Sequence, residues 1–144
     1  MKVTDEPIII EEYYNVPEDK VWRAITDVKE MRSWFFDAIK SFKPEVGFKT
    51  QFLVQVEDRN YTHCWEITEV ILNKKITYTW SYVEYPGDAF VTFELYKEDN
   101  QTRLKLSLVV TEDFPSNVPE FTRDSCIAGW NYFLGQRLKE YLAE

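Results

Sequence analysis

A chain of 144 residues that is 44% hydrophobic and carries only 4 glycines can bury one sizeable core and has no room for a second, so a single domain over 1–144 is expected. The formal net charge of -8 argues against a phosphate-backbone partner, which needs clustered Lys and Arg, and no nucleic acid is expected. The opening MKVTDEPIII offers neither a secretory apolar region nor a membrane span, so a cytoplasmic protein is expected.

Residues 7–14 (PIIIEEYY) combine β-branched and aromatic side chains and read as a first strand. Asn15-Val16-Pro17-Glu18 then sets out an Asn cap, an early Pro and a Glu, so a short helix over 20–26 follows, burying Val21, Trp22 and Ile25. Asp27-Val28-Lys29-Glu30 repeats the capping logic and predicts a second short helix over 28–35 with Met31, Trp34 and Phe35 inward. Beyond it the periodicity changes from helical to alternating. Six strands are expected there: 38–42, 47–56, 62–72, 75–83, 89–97 and 103–111, giving about seven in all. Links such as Asn73-Lys74 are too short for a parallel crossover, so the strands form an antiparallel meander.

Alternation also assigns faces. Phe48, Phe52, Trp65, Ile67, Ile76, Tyr78, Trp80, Val91, Phe93, Leu95, Leu104, Leu106 and Leu108 fall on one side; Lys49, Gln51, Glu66, Thr77, Thr79, Glu94 and Lys105 fall on the other. A sheet with one dry face needs a cover. Residues 119–142 supply it: Ile127, Trp130, Leu134, Leu138 and Tyr141 recur at helical spacing, and Asn117 with Pro119 and Glu120 reads as the capping box that begins the helix. Gly129 inside that helix costs on the order of 1 kcal/mol against Ala, so it marks either a close approach to the sheet or a gap beside it. Trp130 reads as the anchor.

Candidate chemistry is sparse, and no catalytic residue, metal or cofactor is assigned. His63 is the one histidine and is read as a solvated strand-end residue. Cys64 and Cys126 are read as free thiols, with Cys126 an inert packed one. The adjacent acids Glu11-Glu12, Glu57-Asp58, Glu98-Asp99 and Glu112-Asp113 are read as solvated charges, because neighbours on a strand point to opposite faces.

Several pieces, taken in order, resemble a known family: Val21-Trp22 with Ile25, Trp34, Gly47-Phe48, Ile76-Thr77-Tyr78-Thr79-Trp80, Val91-Thr92-Phe93-Glu94-Leu95, Thr102-Arg103-Leu104-Lys105-Leu106, and Gly129-Trp130 with Leu134 and Leu138. They are similar to the START-like, or SRPBCC (birch-pollen-allergen-like), superfamily, and within it to the single-domain homologues of the activator of the heat-shock-protein-ninety ATPase. The resemblance implies an α+β helix-grip fold: a curved antiparallel sheet, two short helices after the first strand, and a long C-terminal helix packed across it. It further implies a cavity under that helix for a small hydrophobic molecule, lipid- or polyketide-like. Phe48, Phe52, Trp65, Trp80, Phe93, Phe121, Cys126, Trp130 and Phe133 are the expected ligand-binding residues. Two other functions come with the resemblance: a co-chaperone-like or stress-linked role with a chaperone protein as partner, and a cyclase or hydrolase using the same cavity.

Overall fold

The computed structural model describes residues 1–143. Strand β1 (Ile8–Tyr14) leads into helices α1 (Glu18–Thr26) and α2 (Val28–Trp34), followed by strands β2 (Lys49–Val56), β3 (Arg59–Ile71), β4 (Lys75–Tyr82), β5 (Asp88–Glu98) and β6 (Gln101–Glu112). The strands form one antiparallel sheet in the order β1-β6-β5-β4-β3-β2. Hairpins join β2 through β6, with Glu57, Asn73 and Asp99 supplying positive φ of 57°, 62° and 53° in three of the turns. A register shift between Ile67 and Glu69 bends β3.

The sheet has six strands, one fewer than the sequence suggests. Residues 38–42 form no strand, and two of their carbonyls are taken by a side chain instead. Arg32 Nε donates to the Ile39 carbonyl at 2.6 Å and Nη2 to that of Lys40 at 2.7 Å. The apolar residues that gave the segment its strand-like look, Ile39 and Phe42, are instead plugged into the core. The first cap also differs: Pro17 occupies the N-cap of α1 without a side-chain bond, and Asn15 Oδ1 accepts from Gln101 instead. Asp27 caps α2 as its position implies, accepting from the amides of Lys29 and Glu30.

The terminal helix is segmented. Pro119–Phe121 is a short 3-10 turn, and Thr122, not Asn117, caps the helix proper by accepting from Ser125 N at 3.2 Å. Helix α3 (Arg123–Tyr132) then runs through a π-helical turn (Phe133–Arg137) into α4 (Leu138–Leu142). Within that turn the buried Tyr14 hydroxyl donates to the Leu134 carbonyl at 2.7 Å. An outside donor entering the backbone ladder is a recognised way to widen a helix locally. Trp130, Leu134 and Leu138 are buried against the sheet, while Ile127 and Tyr141 are half-buried at its margins. Among the described residues no helix is long and apolar enough to cross a membrane.

Candidate functional site

The space between sheet and terminal helix is filled at one end and open at the other. Toward α1, α2 and α4 it is closed by Ile25, Met31, Trp34, Trp65, Tyr78, Phe93, Leu95 and Leu138, each 2% exposed or less. Under α3 the facing side chains are small: Ala89 on β5, Ser125 and Cys126 on the helix, and Gly129 with none at all. A Cβ built on Gly129 would meet nothing within 4 Å. The result is a cavity of about 320 Å³. Its walls include Tyr61 and His63 from β3, Trp80 and Tyr82 from β4, Leu108 from β6, and Phe36, Phe114 and Phe121 from the connecting segments.

Of the residues expected to bind a ligand, Trp80, Phe121, Cys126, Trp130 and Phe133 line this cavity. Phe48, Phe52, Trp65 and Phe93 do not. Phe52, Trp65 and Phe93 are packed among other rings, Phe52 for example lying 4.8 Å from Trp65, and Phe48 is half-buried beside Phe42. Trp130 joins the two regions, with its ring 5.7 Å from Phe35, 5.9 Å from Phe93 and 5.4 Å from Trp80.

His63 overturns its assignment as a solvated residue. It is 5% exposed, stacked on Phe52 with centroids 4.8 Å apart, and part of the cavity wall. Strand alternation carries the signal, since His63 shares the parity of Trp65 and Ile67. Its Nδ1 lies 3.0 Å from the Tyr61 carbonyl. A carbonyl can only accept, so the neutral ring carries its proton on Nδ1 and presents a bare lone pair at Nε2. Burial lowers the His63 pKa to about 4, outweighing the opposing pull of the Tyr61 carbonyl and the Glu84 charge.

Other polar groups cluster at the same end. Trp80 Nε1 donates to the Tyr82 hydroxyl at 2.8 Å, leaving that hydroxyl one proton to give. Arg59 forms an ion pair with Glu120, and its Nε donates to the Tyr61 hydroxyl at 3.2 Å. Burial works to raise the Glu120 carboxyl, yet its hydrogen bond from Arg59 prevails and holds it below the usual carboxylate range. Burial pushes the Cys126 thiol up to about 11, so it is protonated and unreactive at neutral pH. Both cysteines are free. Tyr78, placed on the dry face by alternation, is packed in the filled region, where its hydroxyl and the Trp65 indole N–H are buried without partners. Among the described residues no group of His, Cys, Asp and Glu is arranged to hold a metal.

A family model described as activator of Hsp90 ATPase homolog 1-like protein matches residues 15–143. None of the curated proteins compared matches the chain. Among solved structures, DynU16, a protein of the dynemicin biosynthetic locus, superposes with a TM-score of 0.77 at 22% identity, over 96% of this chain and 48% of that one. The present chain thus spans about half of DynU16. A protein from Chromobacterium violaceum gives 0.77 at 20% identity, covering 96% and 97% of the two chains. An HSP90 activator from Plasmodium falciparum gives 0.72 at 20%, again covering 96% and 97%. At such identities the likeness speaks for the fold alone.

Proposed function

We propose, for a chain that belongs to the activator of Hsp90 ATPase homolog 1-like family, that it acts as a single non-enzymatic START-like domain holding a small hydrophobic molecule, lipid- or polyketide-like, beneath α3. The observation that carries this reading is the cavity itself. Its volume of about 320 Å³ and its aromatic walls with a few polar groups are what small-molecule sites generally present. Trp80, Phe121, Cys126, Trp130 and Phe133 are the proposed contacts. A neighbour from the dynemicin biosynthetic locus accords with a cavity for an organic molecule. His63 also favours holding over turning over: a ring whose pKa is near 4 is a weak general base at neutral pH, which counts against a cyclase or hydrolase.

The test is native mass spectrometry and thermal shift of the purified chain against a panel of lipids and polyketides, with Gly129→Leu as control. A bound mass and a raised Tm in the parent, both lost in the variant whose side chain fills the space, are expected. No adduct and no shift across the panel would overturn the reading.

The family and the HSP90 activator among the structural neighbours favour a second reading, in which the outer surface engages a chaperone. Titrating purified Hsp90 with the chain and following ATP hydrolysis separates the two: stimulation that survives in Gly129→Leu belongs to the outer surface and not to the cavity.

A further inference from the structure

Among the described residues the cavity wall holds an acceptor that meets no donor. His63 Nε2 has no partner among the described residues, and with the ring's one proton committed to the Tyr61 carbonyl at 3.0 Å it can only accept. Glu120 is spent on the Arg59 guanidinium, and its Oε2 is already cut off from solvent, so it is not an acceptor that an occupant can meet. Arg59 is therefore neutralised where it stands. The Met1 ammonium, also in the wall, gives one of its protons to the Phe121 carbonyl at 2.9 Å. The Tyr82 hydroxyl keeps one proton, having accepted from Trp80.

An apolar occupant would seal His63 Nε2 away from water with nothing to satisfy it, and a buried unpaired acceptor costs more than an ordinary hydrogen bond returns. A carboxylate has no proton to give His63 Nε2 and would leave its hydration behind on entering a mostly apolar cavity. A hydroxyl suits both sides, giving its proton to an acceptor and offering a lone pair to Tyr82.

We infer that the occupant of this cavity carries a hydrogen-bond donor, a hydroxyl or N–H on an otherwise apolar skeleton, and delivers it to His63 Nε2. The inference rests on the binding reading above and narrows it: a neutral hydroxylated or N–H-bearing molecule is selected over the bare hydrocarbon and over the acid of the same shape.

Three probes of one skeleton test it: naphthalene, 2-naphthol and 2-naphthoate, followed by equilibrium dialysis against the full chain at pH 7. The expected order is 2-naphthol held about fivefold more tightly than naphthalene, the factor one neutral hydrogen bond brings, with 2-naphthoate weakest. In His63→Phe, which keeps a ring against Phe52, the preference for 2-naphthol over naphthalene is lost, each probe being compared with the other on the same variant. Equal retention of naphthalene and 2-naphthol by the parent, or tighter retention of 2-naphthoate, overturns the inference and leaves the binding reading standing. A preference that persists in His63→Phe overturns the assignment to this residue. Retention of none of the three overturns the inference, and the binding reading falls with it only where the lipid and polyketide panel also leaves no bound mass.

Discussion

The terminal helix carries two glycines six residues apart, and their surroundings are opposite. Beside Gly129 in α3 there is open space; a Cβ on Gly135, in the π-helical turn, would lie 2.9 Å from Glu12 Oε1. One glycine leaves room and the other allows contact. The same contrast runs through the interior beneath them. At the end of α2 the rings of Trp34 and Phe35 stack at 4.7 Å and Trp65 sits 4.8 Å from Tyr78, whereas under α3 the small Ala89 and Cys126 leave about 320 Å³ unfilled. A single cover can therefore be structural along one half and receptive along the other, because side-chain volume is distributed unevenly along a continuous helix.

The strongest way to break this contrast is to remove the residue that spans it. Trp130→Ala should cost about 3–5 kcal/mol in urea unfolding, the range for deleting a large buried side chain; a loss below about 1 kcal/mol would show that the helix is anchored elsewhere. Acid should be the next largest perturbation. His63 titrates near 4 in the fold and near 6.5 when unfolded, so between those values the unfolded chain binds the extra proton and stability falls as pH falls. The loss from this group should reach about 3 kcal/mol by pH 4, all on the open side, and His63→Phe should abolish that part of the pH dependence. Tyr14→Phe strips the π-helical turn of its outside donor and leaves the Leu134 carbonyl buried, so a loss of about 1–3 kcal/mol is expected in thermal unfolding. The smallest effect compares the glycines directly. Gly129→Ala should stabilise the fold by up to about 1 kcal/mol through helix propensity, and Gly135→Ala should gain less, since Glu12 must yield while held by Lys139 at 3.0 Å. Equal gains at both sites would erase the distinction.

Much of the sheet was legible because period-two alternation and short polar links are local signals. Leu104, Leu106 and Leu108 announce a dry face from within their own strand, and Asn73-Lys74 can only turn the chain back. Residues 38–42 misled because Ile39 and Phe42 mark burial without saying whether a neighbouring strand is available for pairing. Asn117 and Asn15 stood at plausible caps, yet the choice between adjacent capping residues is settled by tertiary partners such as Gln101. The cavity was less legible still. Phe52, Trp65 and Phe93 share a face with Trp80, and what separates them is where the helix crosses, a long-range fact that no strand encodes. His63 was there to be read from its parity; polarity alone suggested exposure.

The Trp80–Trp130 contact, T-shaped with an interplanar angle of 65°, joins one ring on the sheet to one on the helix. Two indoles this close couple their electronic transitions, and the sign and size of that coupling depend on the angle between them. The molecule thus carries an optical goniometer of its own: the far-ultraviolet circular dichroism couplet that Trp130→Phe removes reports how the helix lies across the sheet, without any label being attached.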